Sequence, residues 1–162
     1  MLQKQQQRRR KVTEYGLQLE EKQKTKQAYG LRERQFRLYF SAAAKNQSET
    51  GQTLLQTLES RLDNVVFRSG LAISRPQARQ LICHRHFALN GKRVSIPSIL
   101  VKPGDIIEPN SLKTVHFEAE RGIAPWLDLN KKALRITIDR LPSVAELPLE
   151  FDTQKIVQFY SR

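Results

Sequence analysis

The sequence predicts an α+β fold, with helices gathered in its first half and short strands in its second. Three observations carry this. Apolar residues recur at helical spacing up to about residue 84. Beyond it the period drops from 3.6 residues to 2. Asn90-Gly91 then joins two short runs, the signature of a tight hairpin.

The elements follow in order. Residues 17–26 read as a short polar helix, with Leu17 and Leu19 as its only strong apolar positions, and Gly30 breaks it. A second helix spans Leu31 to Lys45, with Phe36, Tyr39, Phe40 and Ala43 on one face. Lys45 to Thr50 is polar and marks a candidate domain boundary. Thr50 is expected as the N-cap of the next helix. That helix carries one stripe, Leu54, Leu55, Leu58, Leu62, Val65 and Val66, and ends at Gly70. Ser74 has the N-cap chemistry for another helix, with Gln77 three residues on and Pro76 in its first turn. Phe87 to Asn90 and Arg93 to Ile96 read as hairpin strands. Lys102-Pro103-Gly104-Asp105 reads as a turn before a strand ending at Glu108. Thr114–Glu118 and Leu134–Asp139 alternate like further strands, and residues 119–132 stay ambiguous. Asp152 to Tyr160 reads as a closing helix.

The chain has 162 residues, a formal net charge of +12 and a sequence pI of about 10.2. The single cysteine, Cys83, excludes a disulfide scaffold. No apolar run approaches the ~20 residues a bilayer span needs, and no secretory h-region follows the basic start. An intracellular, soluble protein is expected. The charge is uneven: net +8 over residues 1–45, +5 over 46–143 and −1 over 144–162. Between Asp63 and Asp105 there is no acidic residue, while Arg68, Arg75, Arg79, Arg85, Lys92, Arg93 and Lys102 all lie there. Folded surfaces mix both signs, so an acid-free stretch points to phosphates. The run Arg8, Arg9, Arg10, Lys11 reads as a basic arm that orders on nucleic acid.

Enzyme signals are weak. There is no glycine-rich phosphate loop, no G-x-S-x-G and no H-E-x-x-H. Cys83, His84 and His86 lack a second ligand cluster, so no metal site and no cofactor are expected. What remains is a basic binding surface. Arg75 and Arg79, at i and i+4, project from one side of a helix that leads into a hairpin with Arg85, Lys92 and Arg93.

ARQLICHRHFALNGKRV at 78–94 and SIPSILVKPGDII at 95–107 closely resemble the RNA-binding domain named after small-subunit ribosomal protein four. EYGLQLEEKQK at 14–24, YGLRERQFRLYF at 29–40, TGQTLLQTLESRLDNVVFRSGL at 50–71, RLPSVAELP at 140–148 and IVQFYSR at 156–162 are similar to the bacterial-type ribosomal protein family itself. The resemblance implies two lobes. Residues 1–50 would form a basic arm and helical lobe, completed by a tail at 144–162. Residues 51–143 would form an inserted RNA-binding domain, two helices packed on a small, mainly antiparallel sheet. It implies direct binding to small-subunit rRNA, nucleation of its 5′ domain, a place near the mRNA entrance beside ribosomal proteins three and five, and an influence on decoding accuracy. Self-repression is common in bacterial members. The RNA face carried over is Tyr15, Lys22, Lys24, Arg34, Gln35, Arg37, Arg61, Asn64, Arg68, Arg75, Arg79, Gln80, His84, His86, Asn90 and Lys92. Asp63 is expected to pair with an arginine. Members usually carry a longer N-terminal segment, often with a zinc site; zinc is not carried over. Arg85 stands where many bacterial members have glycine, as in plastid-like copies, so the ribosome is bacterial or organellar. The alternatives are an RNA-modifying enzyme, for which no segment is free to form a catalytic domain, and a free RNA-binding factor of the rescue or heat-shock type.

Overall fold

The structure, a computed structural model, describes residues 11–162. Arg8, Arg9 and Arg10 lie outside the described residues. Helix α1 (Glu14–Ala28) is capped by Thr13, whose Oγ1 accepts from the Gly16 amide at 3.1 Å. It buries Gln18, Lys22 and Thr25, one polar face at i, i+4 and i+7, and leaves Leu17 exposed. This is why its ends, at 14 and 28 rather than 17 and 26, were hidden from an apolar pattern. Helix α2 (Glu33–Ala43) buries Phe36 and Ala43, with Tyr39 and Phe40 packed beside them.

The expected single stripe from Leu54 to Val66 is two helices, α3 (Thr50–Glu59) and α4 (Leu62–Arg68). The break has a tertiary cause. Ser60 O accepts from Val101 N, while Leu62 N and Asp63 N donate to Ile99 O and Pro97 O. The 97–101 loop thus satisfies the amides at the start of α4, and Arg61 takes an extended conformation. Thr50 is the first helical residue rather than the cap; its hydroxyl donates to Asn46 O. Helix α5 (Arg75–Cys83) starts at Ser74, whose Oγ accepts from Gln77 N at 3.2 Å.

Five strands follow: β1 (Phe87–Leu89), β2 (Lys92–Val94), β3 (Ile106–Pro109), β4 (Leu127–Asn130) and β5 (Arg135–Ile138). Their order is β2-β1-β3-β5-β4 and every pairing is antiparallel. Asn90 and Gly91, at φ +51° and +82°, make the hairpin turn. Register puts Leu89, Ile107, Ile136 and Leu129 in one row across four strands. With Phe87, Leu127 and Ile138 they form the sheet face that packs on α4 and α5, around Leu62, Val65, Val66, Ala78, Ile82 and Trp126. Two expectations change here. Thr114–Glu118 is not a strand: Glu118 N donates to Gly70 O, so the segment is spent on the α4–α5 turn. The ambiguous 119–132 stretch contains β4.

Helix α6 (Thr153–Tyr160), capped by Asp152, packs Ile156 with Leu147 and Phe151 against Tyr29, Phe36, Leu54, Leu55 and Leu58. Helix α3 therefore contributes its leucines to the helical core, while α4, a few residues on, joins the sheet core.

Candidate nucleic-acid interface

Two buried carboxylates, Glu59 and Asp63, anchor the junction between the two cores. Glu59 accepts from Tyr29 Oη at 2.5 Å, from Asn64 Nδ2 at 2.9 Å and from Arg68 Nε and Nη2 at 3.0 Å each. Asp63 accepts from Arg61 Nε at 3.1 Å and Nη2 at 2.9 Å, and from Arg79 Nη2 at 3.2 Å. Arg75 donates through Nε to Asn64 Oδ1 at 2.8 Å and through Nη1 to Ala28 O at 3.3 Å. Arg79 donates to Gly30 O at 2.8 Å and Tyr29 O at 2.9 Å. The guanidiniums of α5 thus cap the C-terminal carbonyls of α1, the negative end of its dipole. The Arg75 guanidinium also lies 4.5 Å from the Tyr29 ring centre and 4.6 Å from that of Phe67.

Titration follows this burial. Burial pushes the Tyr29 hydroxyl far above its usual range, and the Glu59 carboxylate adds to it. Burial also pulls Arg75 below the usual guanidinium value. It opposes the charge of Arg61 and Arg68 as well, but their hydrogen bonds to Asp63 and Glu59 outweigh it and raise them.

Several residues of the expected RNA face are therefore used inside the protein. Arg61 is 2 % exposed and Asn64 0 %. Lys22 is buried, paired with Glu33 at 2.6 Å and lying over the Phe159 ring. Arg68, Arg75 and Arg79 spend their donors on Glu59, Asp63 and backbone carbonyls. The arginines share one physical reason: burying Glu59 and Asp63 requires cations beside them, whereas Lys22 answers Glu33. The expected arginine partner of Asp63 is present twice, as Arg61 and Arg79. Lys24 donates to Glu150 O and pairs with Glu21. Tyr15 is exposed at one edge, against Phe159 and the Arg162 guanidinium.

The remaining candidates face solvent. Arg34 and Arg37 stand on the outer side of α2, with Gln35 half-buried between them. Gln80 and His84 are exposed at the end of α5, and Lys11, Lys92, Arg93 and Lys102 are exposed too. Arg34, Arg37, Arg85, Lys92, Arg93 and Lys102 have no ion-pair partner among the described residues.

Local structure explains how they are presented. Arg85 lies at φ +61°, just past α5, where its amide donates to Ile82 O and that of His86 to Leu81 O. This is the Schellman ending. It turns the chain straight from α5 into β1, with the His84 and His86 rings 6.2 Å apart. Asn110 Nδ2 donates to Arg85 O at 2.6 Å and holds the turn. Asn90 serves the hairpin: its Oδ1 accepts from Ile106 N and its Nδ2 donates to Asp105 Oδ1.

Sequence reasoning missed Arg121. Its guanidinium lies 4.5 Å from the Phe67 ring centre, and it donates to Ile73 O at 2.6 Å. Its only sequence signal was a lone charge in an ambiguous stretch. Among the described residues no group of three or more His, Cys, Asp or Glu is placed to hold a metal ion, and no helix is long and apolar enough to cross a membrane.

A small helix-backed antiparallel sheet that presents unpaired cations from an acid-free stretch, docked on a helical lobe, defines a polyanion-binding protein of the RNA-binding class. Residues 60–107 match the family model described as the S4 domain, and residues 1–59 that described as the Ribosomal protein S4/S9 N-terminal domain. The chain is 48% identical over 159 residues to Small ribosomal subunit protein uS4 of Dictyoglomus turgidum, covering 94% of this chain and 77% of that protein. It is 47% identical over 161 residues to Small ribosomal subunit protein uS4A of Symbiobacterium thermophilum, covering 95% and 78%. It is 46% identical over 165 residues to the Thermotoga petrophila protein of the same name as the first, covering 96% and 79%. The chain belongs to the family of small ribosomal subunit protein uS4.

Proposed function

We propose that this chain is a structural component of the small ribosomal subunit that binds small-subunit rRNA directly and nucleates folding of its 5′ domain. In that reading it works on the ribosome of a bacterium or an organelle and carries out no catalysis. It lies near the mRNA entrance, beside ribosomal proteins three and five, and through that position influences decoding accuracy. The observation that carries the RNA assignment is the set of exposed cations Arg85, Lys92 and Arg93, none of them in an ion pair and all carried by the α5–β1–β2 framework, with Lys102 exposed in the turn before β3. Arg34 and Arg37 extend the same chemistry to the helical lobe. Flat guanidinium forks and ammonium groups suit phosphate oxygens of structured RNA, which is read by shape and backbone.

We assign Arg61, Asn64, Arg68, Arg75 and Arg79 a different part. They hold the helical lobe against the sheet lobe, so that the cations of α2 and of the hairpin meet RNA as one surface. The RNA-binding domain then begins near residue 60, where the two cores separate, rather than at 51.

The test is a filter-binding titration against the 5′ domain of small-subunit rRNA at several salt concentrations, with transfer RNA as competitor. Tight binding that survives the competitor supports the ribosomal reading. Equal competition by transfer RNA leaves only a general basic field, as a free RNA-binding factor would have. Lys92→Ala and Arg93→Ala are each expected to lower the salt slope by about one phosphate contact. Unchanged slopes in both variants refute the hairpin as the RNA face.

A further inference from the structure

Where the tail passes the sheet lobe it leaves a cleft of about 440 Å³, the size of a small-molecule site. Phe67 and Arg68 of α4, Arg121 and Trp126 of the segment leading into β4, and Leu149 and Glu150 of the tail line it. None of the cations Arg85, Lys92, Arg93 and Lys102 does. Glu59 and Glu146 also border the cleft, but both are already satisfied. Glu59 accepts from Tyr29, Asn64 and Arg68, and Glu146 from Arg140 and the Ser143 amide.

Two charged groups of the cleft are unspent. Arg121 is exposed and donates only to Ala72 O at 3.4 Å and Ile73 O at 2.6 Å. Glu150 is exposed as well, and Lys24 reaches its backbone carbonyl rather than its carboxylate. Neither side chain has an ion-pair partner among the described residues. The Arg121 guanidinium lies over the Phe67 ring, 4.5 Å from its centre. A guanidinium held there is a stacking platform for a further flat ring. Leu149, 95 % exposed, stands at the rim, where a ligand seated in the cleft would cover it. An ionised carboxylate only accepts, and its two oxygens suit two parallel donors. Among the nucleobases, guanine presents two adjacent donors, N1–H and N2–H, on one edge. Adenine and cytosine set a ring acceptor beside their amino group, and uracil flanks its one N–H with carbonyls. Each of these turns a lone pair toward the carboxylate.

We propose that this cleft binds a guanine base, its ring stacked on the Arg121 guanidinium and its N1–H and N2–H donating to the Glu150 carboxylate. The base belongs either to a free guanine nucleotide or to an unpaired guanosine of rRNA, and the recognition chemistry is the same for both. The second source rests on the ribosomal reading; the first does not.

Trp126, the one tryptophan of the chain, lines the cleft at 1 % exposure and reports on it. Its fluorescence is followed while the full chain is titrated with GMP, IMP and AMP. All three carry the same phosphate, so the basic field acts on them alike. IMP lacks the 2-amino group. GMP is expected to bind about tenfold more tightly than either of the others. Glu150→Gln is expected to remove that preference with an unchanged thermal midpoint, because the side chain is exposed and unpaired. For the rRNA source, kethoxal, which modifies N1 and N2 of unpaired guanines, is applied to complexes of the 5′ domain with the parent and with the variant. A guanine protected by the parent and reactive with Glu150→Gln assigns the cleft to rRNA. A GMP preference without such a guanine assigns it to a free nucleotide. Equal binding of the three nucleotides together with an unchanged kethoxal pattern overturns the inference, and so does a GMP preference that survives Glu150→Gln. Failure of the parent to bind the rRNA at all counts against the ribosomal reading, and the nucleotide titration then decides the cleft by itself.

Discussion

Arg75 and Arg79 lie at a helix start inside an acid-free stretch, where phosphate contact is the natural expectation. Their guanidiniums instead reach the last carbonyls of α1 and the buried carboxylates behind them. Arg75→Ala would leave Asn64 Oδ1 and Ala28 O short of a donor and empty the space between the Tyr29 and Phe67 rings. The expected loss is about 3 kcal/mol. Arg79, more exposed and backed by Arg61 on the same carboxylate, is expected to contribute about 2 kcal/mol. Urea unfolding measures both, and a loss of RNA affinity without loss of stability would return these residues to the RNA face. Arg85 is the opposite case. Its left-handed backbone costs about 1 kcal/mol that glycine avoids, while its side chain is an unpaired exposed cation. Arg85→Gly is therefore expected to leave stability equal or up to about 1 kcal/mol higher, yet to lower the salt slope of RNA binding by about one. A stability loss would show that the arginine side chain supports the turn.

At the scale of elements, α1 and α5 end alike. Gly30 N and Leu31 N donate to Gln27 O and Lys26 O, just as Arg85 N and His86 N donate to Ile82 O and Leu81 O. Two features favour glycine at the first ending: φ is +64°, and a Cβ would sit 2.8 Å from the Arg79 guanidinium, which would have to shift. Gly30→Ala is expected to cost about 2 kcal/mol, from left-handed strain plus displacement of Arg79. A thermal midpoint equal to the parent's would contradict the close approach. Elements with apolar faces were legible: α2, α5, α6 and the hairpin were anticipated within a few residues. Those missed have physical reasons. Helix α1 buries glutamine, lysine and threonine, so its buried face has no apolar signature. Strand β4 was hidden in the ambiguous stretch 119–132, where Pro125 and Trp126 suit a loop or a short helix as well. The α3–α4 break follows from hydrogen bonds to residues 97–101, which no local pattern encodes.

For the whole molecule, acid stability tests how the tail is held. Arg140 donates to Glu146 through both terminal nitrogens at 2.5 Å, and the Ser143 amide adds a third bond. The Arg140 guanidinium, then these Ser143 contacts, hold the Glu146 carboxyl down at about 2, against an ordinary 4.5. For Glu33, burial works against ionisation, but Lys22 and Lys26 outweigh it and lower that carboxyl too. A carboxyl that ionises more readily when folded stabilises the fold above its unfolded value and stops doing so as pH falls through the folded one. The Glu146 contribution is thus complete above about 4.5 and disappears toward about 2. Urea midpoints of the parent and Glu146→Gln should differ at pH ~6 and converge at pH ~2. A constant difference would show that the pair does not drive the dependence.

The sequence by itself determined the α+β class, the family resemblance, the hairpin and its turn, and the existence of an acid-free basic stretch. These are local or compositional properties, carried by spacing, turn chemistry and charge count. Only the tertiary structure decided which cations are free. Charge is visible in a sequence, but its partner is not. Glu59 and Asp63 are buried where helices from both lobes meet, and a buried carboxylate recruits the nearest guanidiniums wherever they stand in the chain.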